Sequence, residues 1–266
     1  MTGLVKTLMP LPEAHPDVFH REWPLRMADV DRTGRLRFDG AARHIQDIGQ
    51  DQLREMGYED VHPAWVVRRT MIDLIRPIEG SDILRMRRWC SGTSQHWCEM
   101  RVRIEGKRGR GLMESEAFWI HVSRETQGPA RISADFLSGL RRTTEESRLR
   151  WKSYLTAGGR EEAAEIREYP VRVSDIDLFD HMNNAVYWTV IEDYLYAHPQ
   201  LLEQPLRVTI EHDAAVALGE KLEILSHIHP AGSTDRFGEG LTDRTVRTLT
   251  YAVGDETKAV AALFAL

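Results

Sequence analysis

The chain repeats itself, and that repeat restricts its fold more than any other feature of the sequence. Arg26-Met27-Ala28-Asp29-Val30-Asp31 aligns with Arg172-Val173-Ser174-Asp175-Ile176-Asp177 at an offset of 146 residues. Continued without a gap, Ile45 falls on Ile191 and Asp47 on Asp193, giving five identities across positions 26 to 47. Each copy then runs through the same succession of patterns. The first has a helical stretch from about Phe38 to Met56, with Ala41, Ile45, Ile48 and Leu53 near helical spacing. The second has one from about Asn183 to Ala197, with Tyr187, Val190, Ile191 and Tyr194 at i, i+3, i+4 and i+7. Strand patterns follow in both: Trp65 to Ile75, Ile83 to Met86, Met100 to Glu105 and Gly111 to Val122 in the first. In the second they are Leu206 to Ile210, Lys221 to Ile224, Arg244 to Val253 and Lys258 to Phe264.

A strand, one central helix and four or more antiparallel strands make a two-layer α+β unit. At 266 residues the chain holds two such units of about 130 each. The expected division is 1–125 for the first domain, 126–168 for a charged connecting segment, partly helical around Ala134–Ser153, and 169–266 for the second domain.

Composition narrows the function. A net charge of −6 excludes a nucleic-acid binder that relies on overall positive charge. The charge is unevenly divided: residues 1–150 carry 25 Lys+Arg against 22 Asp+Glu, and residues 151–266 carry 10 against 19. No apolar run reaches the roughly 18–20 residues of a membrane span, and Met1 to Pro12 lacks the apolar core of a signal peptide. Cys90 and Cys98 are too few for a disulfide framework, and neither C-x-x-C nor H-E-x-x-H occurs. No Walker loop or G-x-G-x-x-G is present, and Gly106, Gly109 and Gly111 read as a hairpin turn. The expectation is a cytoplasmic protein without cofactor or metal.

The difference between the copies locates the chemistry. Where the first reads Asp31-Arg32-Thr33-Gly34-Arg35, the second reads Asp177-Leu178-Phe179-Asp180-His181-Met182-Asn183-Asn184. A carboxylate, an imidazole and two amides therefore meet where a strand enters a helix. A helix start offers unpartnered N–H groups and a positive dipole end, suited to an acyl oxygen that becomes an oxyanion; one such donor is typically worth roughly 10²–10³ in rate. Asp177 then serves as nucleophile or as base for water, His181 polarises the carbonyl or orients the carboxylate, and Asn183 and Asn184 bridge site and backbone. The alternative for Asn183, Asn184 and Asp180 is plain helix capping. Asp175 reads as a turn or cap residue, and Asp29 and Asp31 lack the histidine that would make them a site.

The segment Arg172 to Tyr187, with its Asp-x-x-x-His-x-Asn-Asn-x-x-Tyr element, resembles the signature of hotdog-fold thioesterases. With Trp65 to Arg69, Ile78 to Asp82, Trp89 and Ala117 to Ile120, the chain is similar over about residues 15–265 to the acyl-acyl-carrier-protein (acyl-ACP) thioesterases of plants and bacteria. The resemblance implies a tandem hotdog fold with a non-catalytic first domain, and hydrolysis of fatty acyl-ACP to free fatty acid. It matches Asp177 and His181 to the catalytic aspartate and histidine. It also implies an acyl channel in the first domain, with Trp65, Met71, Ile72 and Trp119 as candidate lining. The chain departs from the pattern at two places. The family's asparagine between the two catalytic residues is Phe179 here, and its later Glu-Cys pair falls near Ala215-Val216. Neither Cys90 nor Cys98 lies in that half, so no cysteine nucleophile is available there and a carboxylate mechanism survives; the thiolate leaving group, with a conjugate pKa near roughly 8.5, needs no strong acid.

An acidic carrier needs a basic surface, and Arg85, Arg87, Arg88, Arg101, Arg103, Lys107, Arg108 and Arg110 lie on adjacent strand patterns. Alternation puts Arg85, Arg87, Arg101 and Arg103 toward solvent. Three other readings stay open: an acyl-CoA thioesterase, an enoyl-thioester hydratase and a non-enzymatic acyl-thioester sensor. Asp39 to His44 and Asp193 to His198 have hydratase-like spacing but lie in helical patterns without its Asn-Pro. A tandem pair is consistent with a monomer or a homodimer.

Overall fold

The computed structural model describes residues 3–126, 128–233, 237 and 240–266. They form two units: residues 8–151, and residues 152–266 together with the N-terminal residues through Thr7.

The first unit contains β1 (Phe19–Pro24), α1 (Phe38–Glu55), β2 (Trp65–Arg76), β3 (Ile83–Thr93), β4 (Trp97–Gly106), β5 (Leu112–His121) and the short α2 (Ala134–Leu140). Its five strands are antiparallel in the order β1-β3-β4-β5-β2. The α1 face Phe38, Ala41, Ala42, Ile45 and Ile48 is buried, as the apolar spacing requires. The second unit contains β6 (Glu165–Tyr169), α3 (Tyr187–Ala197), β7 (Leu206–His212), β8 (Leu222–His229), β9 (Val246–Val253) and β10 (Glu256–Ala265). Its order is β6-β8-β9-β10-β7, again antiparallel. Position for position this is the same topology, so the weak sequence repeat marks a repeated α+β fold.

Two stretches differ from their sequence patterns. Within 126–168, α2 spans seven residues, closes with one 3-10 turn and gives way to extended chain, while β6 already belongs to the second sheet. The helix over Ala134–Ser153 stops early because Thr143 turns inward, its hydroxyl donating to the Cys90 carbonyl at 2.9 Å. The second central helix starts at Tyr187 instead of Asn183. Asn183 Oδ1 accepts the Ala185 N–H at 2.9 Å and its carbonyl accepts the Val186 N–H at 2.8 Å. A short polar side chain that captures a nearby backbone donor favours such a turn over a helix.

In the second unit α3 is held on its sheet at both ends of one turn. The Tyr187 ring lies 4.7 Å from His212 of β7 and 5.3 Å from Tyr251 of β9, whose hydroxyl donates to the Tyr187 carbonyl at 2.7 Å. Thr189 meets the Tyr169 hydroxyl of β6 at 3.0 Å. The start of α3, and the loop just before it, are thus fixed against the sheet.

Candidate active site

The loop between β6 and α3 closes on itself. Asp177 N–H donates to the His181 carbonyl at 2.9 Å, and Asp180 N–H donates to the Asp177 carbonyl at 3.1 Å. Asp180 takes φ +61°, a left-handed conformation that Asp tolerates better than most residues. Asp175 accepts the Arg172 N–H at 2.9 Å, the cap role its position suggested. Met182 N–H reaches the Val216 carbonyl at 2.7 Å and His181 pairs with Ala217, so the loop is stitched to the β7–β8 connection.

This frame leaves two functional groups open. The half-buried Asp177 carboxylate accepts one hydrogen bond among the described residues, from Phe179 N–H to Oδ1 at 2.9 Å. The His181 ring is exposed and makes no side-chain hydrogen bond among the described residues. Of the amides, Asn183 is the turn cap described above. Asn184 is half-buried, and its backbone N–H has no protein acceptor among the described residues. The open donor just ahead of α3 therefore belongs to the backbone of Asn184. Leu178 and Phe179 in the loop, and Leu218 beside Ala217, are exposed at 81%, 47% and 53%, which gives the site an apolar rim.

Two further charged residues stand here that the sequence reading missed. The turn Ala217–Glu220 is closed twice: Glu220 N–H donates to the Ala217 carbonyl at 3.3 Å, and Ala217 N–H donates to Glu220 Oε2 at 2.8 Å. Glu220 Oε1 meets Lys258 Nζ at 3.2 Å, and that ammonium also meets Glu256 Oε2 at 2.9 Å. Burial opposes ionisation of Glu220, but the Ala217 N–H and the Lys258 ammonium outweigh it and hold its carboxyl below the usual carboxylate range; the nearby His181 adds to this. Burial pushes the Tyr187 phenol well up, and the nearby Glu220 and Asp177 charges reinforce it, so the ring stays neutral. A lysine at the head of the apolar run Ala259 to Phe264 was the available signal, since a buried lysine calls for a carboxylate partner.

The candidate acyl-channel residues fall into two places in the first unit. Trp65 and Trp119 pack against a cluster of Cys90, Cys98, Met100, Ile132, Phe136, Leu137 and Leu140. Met71 and Ile72 are fully buried along β2. Both cysteines are free and buried, and burial pushes the Cys90 thiol up to about 12, a value that fits packing and not nucleophilic chemistry. The other acid–histidine spacings are occupied: Asp39 pairs with Arg37 and Arg43, and His198 Nδ1 lies 2.9 Å from the Tyr194 carbonyl. Among the described residues no group of three His, Cys, Asp or Glu is arranged to hold a metal, and no helix is long and apolar enough to cross a membrane.

The basic sheet face is altered most. Arg101 does not point to solvent: it is 1% exposed, donates to the Met9 carbonyl at 3.0 Å and pairs with Glu114 at 2.8 Å. Strand alternation fails there because the N-terminal segment covers that face. Arg85 and Lys107 pair with Glu22, Arg87 with Glu105, and Arg103 with Glu105 and Glu114.

Two α+β units of one strand order, with an open carboxylate and imidazole four residues apart before the second central helix, define a tandem hotdog protein. Comparison with known proteins narrows the class. The model for the acyl-ACP thioesterase N-terminal domain matches residues 16–140 and that for the C-terminal domain matches residues 158–266. The chain belongs to the acyl-ACP thioesterase family. Relatives from two strains of Mycobacterium tuberculosis are 37% identical over 246 residues, covering 92% of this chain and 91% of theirs; both are described as uncharacterized proteins. Among solved structures, an acyl-ACP thioesterase from Bacteroides thetaiotaomicron is 14% identical, with a TM-score of 0.72 over 93% of this chain and 97% of its own. The 12:0-ACP thioesterase of Umbellularia californica is 15% identical, with a TM-score of 0.71 over 94% and 93%. At these identities the structural likeness concerns the fold.

Proposed function

We propose that this protein hydrolyses fatty acyl thioesters of acyl carrier protein at the loop before α3, with Asp177 and His181 as its catalytic residues. The observation that carries the reading is the pairing of an open Asp177 carboxylate with the unoccupied Asn184 N–H on one short, rigid loop. Asp177 Oδ2 takes a proton from water, and the water oxygen adds to the thioester carbonyl carbon. The carbonyl oxygen gains negative charge and is met by the Asn184 N–H and by an N–H of the His181 ring. Collapse breaks the C–S bond, the thiolate departs and takes up the proton, and the free acid remains. Leu178, Phe179 and Leu218 give the fatty chain an apolar entrance.

The acidic carrier needs cations that are not already neutralised. In the first unit Arg76, Arg108 and Arg110 rim a cavity of about 490 Å³ with Gly80, Ser81 and Asp82. Arg76 donates to the Arg110 carbonyl and Arg108 to the Ser81 carbonyl, and none of the three has a carboxylate partner among the described residues. Asp82 spends its charge on the N–H groups of Ile83, Arg108 and Gly109. This rim replaces the paired sheet face as the proposed carrier contact.

The test is release of free fatty acid from a chain-length series presented on acyl carrier protein and on CoA. Hydrolysis of the carrier series is expected, with Arg108→Glu/Arg110→Glu raising KM for the carrier substrate about tenfold and leaving the CoA substrate unchanged. Tight acyl-thioester binding without release of acid would replace the enzyme reading by the sensor reading.

A further inference from the structure

A bulge in β10 sits behind the β7–β8 turn. Thr257 pairs with Ala252 of β9 and Ala259 with Tyr251, so Lys258 is an extra residue between two consecutive β9 positions. A bulge bends its strand and re-aims the side chain it carries. The Lys258 side chain is only 6% exposed, and its ammonium meets Glu220 Oε1 at 3.2 Å and Glu256 Oε2 at 2.9 Å. Burial opposes its charge, but the two carboxylates outweigh burial and raise its pKa above the usual lysine value. Its backbone is used as well. The Lys258 carbonyl accepts N–H groups from Asp213 at 2.8 Å and Ala214 at 3.0 Å, the residues that lead into the turn.

From that ammonium a chain of contacts runs to the site loop. Glu220 Oε2 accepts the Ala217 N–H at 2.8 Å, and Glu220 N–H returns to the Ala217 carbonyl at 3.3 Å. Ala217 bridges to His181, and the Val216 carbonyl accepts the Met182 N–H at 2.7 Å. The His181 carbonyl in turn accepts the Asp177 N–H at 2.9 Å. On the loop every one of these contacts is made by backbone, so the chain fixes where the loop lies without engaging the Asp177 carboxylate or the His181 ring.

The first unit has the same turn without this lock. Leu36 N–H donates to the Ile78 carbonyl at 2.7 Å, as Met182 N–H does to Val216, and Arg35 bridges to Glu79 as His181 does to Ala217. Counting from these pairs, Leu74 and Asp82 correspond to His212 and Glu220. Leu74 pairs with Met113 and His212 with Ala259, so Leu112 stands where the second unit has Lys258. Asp82 spends its carboxylate on the N–H groups of Ile83, Arg108 and Gly109. The Asp31 loop needs no support from a lysine, because Thr33 and Arg35 bond its carboxylate directly. The Asp177 loop lacks those donors, and its turn is tied to the sheet instead.

Resting on the hydrolytic reading, we infer that Lys258 is a positioning residue: through Glu220 it fixes the β7–β8 turn, and with it the backbone of the loop that carries Asp177 and His181. Reacting groups tolerate little displacement, since a shift of about 1 Å can cost on the order of 10² in rate.

The experiment is steady-state hydrolysis of an acyl thioester by the full chain, paired with amide hydrogen exchange read residue by residue and with thermal unfolding of every variant. Lys258→Met fills the same space without a charge, so the fold is expected to persist. It is expected to lower kcat about tenfold with KM within about twofold, and to speed exchange of the Asp177 and Met182 N–H groups about tenfold while the β9 amides hold. Lys258→Arg restores a cation and is expected to recover part of both. Glu220→Gln breaks the same ion pair from the half-buried side of the turn, is expected to act as Lys258→Met does, and decides alone if that protein does not fold. Glu256→Gln leaves the link to Glu220 intact and is expected to change kcat less than about twofold. Wild-type kcat in folded Lys258→Met or Glu220→Gln, a lowered kcat with unmoved exchange at Met182, or an equal loss in Glu256→Gln overturns the inference. If Asp177→Asn is inactive while the Lys258 variants behave as wild type, the hydrolytic reading stands alone; if Asp177→Asn is fully active, both fall.

Discussion

At the first junction Asp31 N–H donates to the Arg35 carbonyl at 2.9 Å, and at the second Asp177 N–H donates to the His181 carbonyl at 2.9 Å. The next bonds also match, Gly34 to Asp31 at 3.0 Å and Asp180 to Asp177 at 3.1 Å. Gly34 and Asp180 share a left-handed φ, +89° and +61°. The backbones are equivalent, and the side chains part company. Asp31 accepts the Thr33 N–H at 2.8 Å, the Thr33 hydroxyl at 2.6 Å, the Arg35 N–H at 3.1 Å and Arg35 Nε at 3.0 Å. Asp177 accepts one N–H among the described residues. The residue opposite the acid is a buried arginine in one copy and an exposed histidine in the other. One geometry thus serves as a latch where its carboxylate is fully bonded, and leaves the carboxylate open where those donors are missing.

The largest way to break this contrast is Asp177→Asn. It is expected to reduce kcat/KM by about 10³ or more while the melting temperature holds, measured by fatty-acid release; a folded variant of near-normal rate would refute the assignment. Next comes His181→Ala, expected to cost about 10² in kcat and less in KM. The mirrored change Asp31→Asn should leave turnover within about twofold and instead lower stability by about 1–2 kcal/mol, seen in denaturant unfolding at neutral pH.

That variant has a pH signature. Burial opposes ionisation of Asp31, but the Thr33 and Arg35 donors outweigh it and hold its carboxyl below the usual value. A carboxyl lowered in the folded state contributes stability above its unfolded pKa of about 3.9 and loses it as pH falls through the folded value. Wild type should therefore lose more stability than Asp31→Asn on acidification below about pH 4. The smallest expected effect is Asp180→Gly, which copies Gly34: relief of the left-handed backbone should stabilise by about 0.5 kcal/mol or less.

Much of the fold was legible in the sequence. A 3.6-residue apolar period marked α1 to within one residue, and the strand patterns found each long strand, because one-sided burial imposes those periods directly. The second helix was begun too early, since Asn183 can start a helix or hold a turn, and only its bond to Ala185 decides between them. Asp177 and His181 were legible as a divergence within a repeat. Glu220 and Lys258 were not, because they lie 38 residues apart and become partners only when the β7–β8 turn meets β10.

The sequence by itself determined that there are two α+β copies and that the second holds the acid and the imidazole, since periodicity and local spacing survive without any contact map. It could not decide the state of charged groups, which depends on partners brought together by the sheets. Arg101, expected in solvent, lies beneath the N-terminal segment with Glu114, and the neighbouring sheet cations are tied to carboxylates. Tertiary packing decided which cations are tied up, because a charge's availability is set by the partners folded around it; the closed carboxylate of Asp31 and the open one of Asp177 differ instead in their local sequence, Thr33 and Arg35 against Phe179 and His181.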